Sequence, residues 1–169
     1  MKKIMFVCTG NTCRSAMAEK LLHKKIIEKG FQNKFEVYSA GVFAFSGDKS
    51  PYEAIKVMRD EYDVDMTTHK ATPLKDSQID KMDLILTMTE NHRNMLVSLH
   101  PELAKKTFVL REYVGLAGDI VDPYGGSLEV YLKCARELNE CLELLMKKEE
   151  KEVWLQLGQI MVVIYWKMN

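Results

Sequence analysis

The sequence predicts an α/β protein: a four-stranded parallel twisted sheet with helices on both faces. Two observations carry this. Four short apolar runs recur along the chain, at 3–8, 35–40, 82–88 and 107–110, each of strand length. Segments with helical period separate or follow them, and strands alternating with helices imply parallel pairing with helical cover on both sides.

In chain order, KIMFVC at 3–8 reads as a buried strand. From Ser15 to about Glu28 a helical pattern follows, with Met17, Leu21, Leu22 and Ile26 on one face and Gly30 as its cap. FEVYSA at 35–40 alternates as a second strand, Gly41 to Ser50 is a loop, and Pro51 opens a helix carrying Ile55 and Met58. MDLILTM at 82–88 is the third strand, 90–99 the next helix and TFVL at 107–110 the fourth strand. A glycine-punctuated loop, Gly115 to Ser127, leads into a long amphipathic helix from Leu128 to Lys148.

The 169 residues carry 24 basic and 24 acidic side chains, for zero net charge. That balance argues against nucleic acid or a membrane surface as partner, where a basic excess is expected. Lys2 and Lys3 precede too short an apolar run for a signal peptide. The body of the chain has no apolar run near the roughly 18 residues of a membrane span. Four cysteines, Cys8, Cys13, Cys134 and Cys141, are too few for a disulfide scaffold and fit a reducing cytoplasm. None is paired at the CxxC spacing of a structural zinc site, so no metal and no other cofactor is expected.

In parallel sheets, ligands bind at the carboxyl ends of the strands, and Cys8 ends the first. Behind it stands VCTGNTCRSAMAE, in which Cys8 and Arg14 have the spacing C-x5-R, followed by Ser15. With a helix starting near Ser15, the intervening N–H groups can curl round a tetrahedral anion and the helix end adds positive potential. Arg14 supplies a planar fork for two phosphate oxygens. The same field favours a thiolate at Cys8, and Ser15 can donate to the sulfur. A thiolate at the floor of an anion cradle is suited to attack phosphorus.

The stretch CTGNTCRS resembles the phosphate loop of the low-molecular-weight protein tyrosine phosphatases. The likeness extends over about residues 1 to 148, through YSAG at 38–41, DMTTHKATPL at 65–74 and DPYGG at 122–126. It implies a phosphate loop made by Thr9, Gly10, Asn11, Thr12, Cys13 and Ser15, with Asp122 as general acid and Asn11, Ser39 and His69 bracing the loop. Where the family usually has proline, this chain has Ala16. Losing the preorganised first turn should loosen the loop slightly.

Thr12 replaces the aliphatic residue usual in tyrosine phosphatases. With TGNTCRS, SAGVFA and DPYGG, it makes the chain most similar to the bacterial protein arginine phosphatases. A hydroxyl there can accept from a guanidinium, whereas hydrocarbon shields an aromatic leaving group. Tyr124 and Phe43 are candidate walls for a planar side chain. The expected activity is hydrolysis of phosphoarginine in protein substrates through a phosphocysteine, with phosphotyrosine as the alternative. Cys13 is a candidate redox partner for Cys8. An arsenate reductase shares such a loop, but it needs further cysteines mid-chain, and none lies between Cys13 and Cys134.

The expected domain ends near residue 150, and residues 151–169 form an atypical apolar tail holding both tryptophans. One reading is a surface helix or partner-binding segment. Another comes from codons: shifted by one nucleotide, Val153 to Ile164 can read MVAIGADHGGY, which resembles the start of ribose-5-phosphate isomerase B. On that reading a neighbouring, overlapping gene dictated the tail.

Overall fold

A computed structural model describes the backbone of residues 1–168 and the side chains of residues 1–155. Its elements run β1 (Lys2–Cys8), α1 (Arg14–Glu28), β2 (Phe35–Gly41), α2 (Tyr52–Tyr62), β3 (Leu84–Thr87), α3 (Glu90–Leu99), β4 (Thr107–Val109), α4 (Leu110–Tyr113) and α5 (Leu128–Met168), with short 3-10 turns between. All strand pairs are parallel, in the order β2-β1-β3-β4, the sheet the alternation predicts.

Side chains leave a strand alternately to opposite faces, and the sheet is covered on both. Ile4, Phe6 and Cys8 of β1 therefore join Leu84 and Leu86 of β3 in the larger core, against α1, α2 and α5. Met5, Val7 and Ile85 enter the smaller core, with Leu96 of α3 and Leu103. Helix α1 ends as expected at Gly30: its φ is +74°, and Phe31 N–H returns to the Ile26 carbonyl at 2.9 Å. This i to i−5 closure satisfies an end carbonyl that the helix leaves open.

Strand β3 is shorter than the 82–88 read from the sequence, Leu110 falls in α4 rather than in β4, and three helix boundaries differ. Helix α1 begins at Arg14 rather than Ser15. Pro51 caps α2 in extended conformation, and the helix proper starts at Tyr52. Helix α5 does not stop at Lys148; it continues to Met168, because nothing from 149 onward breaks a helix except Gly158. Lys2 bonds Glu149 at 2.6 Å and Glu152 at 3.1 Å, and Val153 packs on the larger core. The chain's start thus anchors α5 beyond residue 150. The rest of the tail reading, from 156 onward, concerns side chains outside the described residues. Among the described residues no helix is long and apolar enough to cross a membrane.

The chain leaves β1 for β2 on one side and reaches β3 on the other. The crevice at the carboxyl end of β1 is the point where strand order reverses, the place where such sheets bind ligands.

Candidate active site

The loop from Cys8 to Arg14 closes on itself around the sulfur. Asn11 N–H donates to Cys8 Sγ at 3.3 Å, and the Ser15 hydroxyl lies 2.9 Å from the same sulfur.

Asn11 carries the loop's shape. It sits in the left-handed region with φ +54°, a conformation asparagine tolerates better than most residues. Its amide nitrogen donates to Ser15 Oγ at 2.9 Å and Ser39 Oγ at 2.8 Å, and its amide oxygen accepts from Thr72 N–H at 2.8 Å. His69 Nε2 lies 2.7 Å from the Asn11 carbonyl. The brace expected from Asn11, Ser39 and His69 is thus assembled. It extends to a residue that sequence reasoning missed: Ser39 donates to the carboxylate of Glu19, on α1. YSAG acquires a physical reason as well. A Cβ on Gly41 would stand 2.5 Å from the Thr9 carbonyl oxygen and 2.9 Å from Asn11 N, so only glycine lets β2 pass this close beneath the loop.

Arg14 is 5% exposed and fully engaged. One guanidinium nitrogen donates to the Ile120 carbonyl at 3.2 Å, the other to Asp122 Oδ2 at 2.6 Å. The Asp122 side chain is half exposed, and its second oxygen accepts from Tyr124 N–H at 3.2 Å.

Above the loop opens a cleft of about 580 Å³, lined by Cys8, Thr9, Gly10, Thr12, Cys13 and Arg14 and, higher up, by Phe43, Phe45, Asp122 and Tyr124. Phe43, Phe45 and Tyr124 are 64%, 77% and 77% exposed, so the walls are aromatic and unoccupied by the protein's own packing. Among the described residues the Thr12 hydroxyl has one hydrogen-bonding neighbour, Cys13 Sγ at 3.6 Å, a weak contact that leaves it available to a ligand. Phe45 was not foreseen.

The other three cysteines are free and buried. Cys13 Sγ lies 3.4 Å from the Tyr131 hydroxyl, and burial raises both groups' pKa values, so both keep their protons at neutral pH. Burial pushes Cys134 up to about 12 and Cys141 to about 11 on α5, which leaves them inert as thiolates.

His92 is the second residue missed. It is buried at the start of α3, with Nδ1 2.9 Å from Thr89 Oγ and Nε2 2.9 Å from Thr9 Oγ. Burial, then the nearby Arg14 charge, lowers its pKa to about 4.

A buried arginine, a sulfur with two hydrogen-bonding neighbours and a carboxylate across the cleft are the parts a cysteine-dependent phosphatase needs, set at the edge of an α/β sheet. The family model for low molecular weight phosphotyrosine protein phosphatases matches residues 3–155, and the chain belongs to that family. It is an enzyme acting on phosphorylated protein. The protein-arginine-phosphatase of Geobacillus stearothermophilus is 41% identical over 151 residues, covering 89% of this chain and 97% of its own. The low molecular weight protein-tyrosine-phosphatase PtpB of Staphylococcus haemolyticus is 38% identical, with 80% and 91% covered. The low molecular weight protein tyrosine phosphatase from T. tengcongensis has a TM-score of 0.83 at 44% identity, with 88% and 99% covered.

Proposed function

We propose that the chain hydrolyses phosphoarginine in cytoplasmic proteins. One observation carries this choice: Asp122 forms an ion pair with the Arg14 guanidinium at 2.6 Å, so this position in the cleft accommodates a guanidinium against a carboxylate. A carboxylate suits a cationic guanidinium. A phenol leaving group instead needs a proton waiting on that acid. Thr12 in the cleft and the likeness to protein-arginine-phosphatases support the same choice.

In the first step the Cys8 thiolate forms a bond to phosphorus and the P–N bond breaks, its electron pair going to nitrogen. The departing guanidine takes its proton from solvent water, and the Asp122 carboxylate pairs with the guanidinium so formed. Guanidine is basic enough to hold that proton at neutral pH. In the second step Asp122 takes a proton from water, whose oxygen attacks the phosphocysteine. Inorganic phosphate leaves and the thiolate returns. Arg14 and the loop N–H groups hold the equatorial oxygens throughout. Cys13 is assigned the redox role: where a peroxide oxidises the Cys8 thiolate to a sulfenic acid, itself reduced to water or an alcohol, the Cys13 thiol condenses with that sulfenic acid to a disulfide and releases water.

Phosphotyrosine is the second reading, favoured by the exposed rings of Phe43, Phe45 and Tyr124, which can stack on an aromatic substrate. The deciding measurement is kcat/KM on matched phosphoarginine and phosphotyrosine peptides, with Cys8→Ser as the inactive control. A phosphotyrosine preference overturns the first reading, and turnover by Cys8→Ser overturns both.

A further inference from the structure

The loop after β1 is tied to both neighbours of that strand, by different means. On the β2 side, Asn11 reaches Ser39 and Thr72. On the β3 side the tie runs through one imidazole. Thr89 ends the turn after β3 and caps α3, its Oγ accepting His92 N–H at 3.2 Å. The His92 ring spans from that hydroxyl to Thr9 Oγ, at 2.9 Å on each side.

We propose that His92 is a positioning residue of the phosphatase reaction, fixing the first peptide after the nucleophile by pinning Thr9 to the mouth of β3. The inference rests on the reading of the Cys8 loop as the phosphate site. Thr9 is exposed, and the other contact of that residue is its carbonyl, which accepts Phe43 N–H at 2.9 Å from the β2 side. Val42 N–H also holds the Cys8 carbonyl at 3.0 Å, so without His92 the start of the loop would be tied on the β2 side alone and its β3 side would be loose.

The ring must do this uncharged. A neutral imidazole has one donor and one acceptor nitrogen, and hydroxyls at both ends serve either tautomer. The charged groups that face it are Arg14 from α1 and Asp119 and Asp122 from the loop before α5. Arg14 and burial prevail over the two carboxylates, so the ring gains its second proton only near pH 4. A second cation beside Arg14 would compete for Asp122.

The test is a double-mutant cycle of Thr9→Val and His92→Ala, read as kcat/KM on para-nitrophenyl phosphate together with competitive inhibition by inorganic phosphate. Each single variant is expected to lose about three- to tenfold, the worth of one net hydrogen bond. The double variant should lose no more than the worse single, because both cut the same tie. Nitrogen-15 spectra of the wild type should show one protonated and one bare ring nitrogen from about pH 5 to 8. Thr9→Val should move the Nε2 resonance. Multiplicative losses in the cycle overturn the proposal, as do singles within about twofold of wild type or a ring protonated at pH 6. Thr9→Val alters only an exposed residue, so the cycle keeps a folded arm even if His92→Ala unfolds. A wild type with no Cys8-dependent turnover would instead overturn the reading of the site itself.

Discussion

Arg14 and Asp122 grip one another: the guanidinium that should hold phosphate donates to the carboxylate that should serve the leaving group, at 2.6 Å. Phosphate must therefore take Arg14 from Asp122, and in doing so it frees the carboxylate for the substrate. Asp122→Asn removes both the competitor for Arg14 and a negative charge facing the incoming dianion. We expect this variant to bind inorganic phosphate several-fold more tightly. Its kcat should fall by about 10²–10⁴, the usual worth of a positioned acid–base group. Competitive inhibition and single-turnover rates measure the two effects separately. Weaker phosphate binding in Asp122→Asn would mean that the ion pair builds the site instead of blocking it.

Gly41 passes beneath the loop with no room for a side chain. In Gly41→Ala the new carbon would meet the Thr9 carbonyl oxygen at 2.5 Å and Asn11 N at 2.9 Å, both backbone atoms that no rotamer change can move. The loop must shift, and overpacking of this kind costs about 1–3 kcal/mol. Unfolding by urea should show that loss, and kcat/KM should drop at least about tenfold because the displaced atoms frame the nucleophile. A variant of unchanged activity would show the loop to be softer than its hydrogen bonds imply.

The stretch from Cys8 to Ser15 was legible in the sequence because it is contiguous, with its chemistry-bearing residues at the end of an apolar run. Asp122 was legible only through the family likeness, since Asp-Pro alone is ordinary turn chemistry. His92 was not. It lies in TENHRNM, polar on every side, and its partner Thr9 is 83 residues away, brought near only by β1 and β3 lying side by side. Glu19 was hidden the same way, as one charge among several on α1. The four-residue α4 is too short to display a period. The end of α5 was misjudged because the charged, amphipathic pattern gives way to apolar residues without any stop signal.

Helix α5 keeps contact with the rest of the fold past residue 150. Glu149 is 1% exposed, bonds Lys2 at 2.6 Å and accepts from the Tyr113 hydroxyl at 3.1 Å, and Val153 joins the larger core, whereas Trp154 and Leu155 are exposed. Truncation after Leu155 should leave the melting temperature and kcat/KM on para-nitrophenyl phosphate near those of the full chain. Truncation after Lys148 strips Lys2 and Tyr113 of their partner and Val153 from the core, and should cost about 1–3 kcal/mol for the lost hydrogen bonds and apolar contact. If the shorter and longer truncations melt alike, Glu149 is not an anchor. If removing residues 156–169 abolishes activity, the frame-dictated reading of the tail fails.

Thr12 tests the choice of substrate most directly. Its hydroxyl faces the cleft with only a 3.6 Å contact to Cys13 Sγ, so a guanidinium N–H can donate to it without displacing another bond. Thr12→Ile removes that acceptor and adds hydrocarbon at the same place. Loss of one hydrogen bond to a charged group is worth roughly 1.5–3 kcal/mol, or about 10- to 150-fold in rate. An aromatic ring needs no such acceptor and gains contact with the added methylene. Thr12→Ile should therefore lose activity on phosphoarginine by that factor while keeping or gaining it on phosphotyrosine. The quantity to measure is the ratio of the two kcat/KM values in wild type and variant. A ratio that does not move makes Thr12 a loop residue only and returns the discrimination to Asp122, whose pairing with a guanidinium is then the one feature left to select a cationic leaving group.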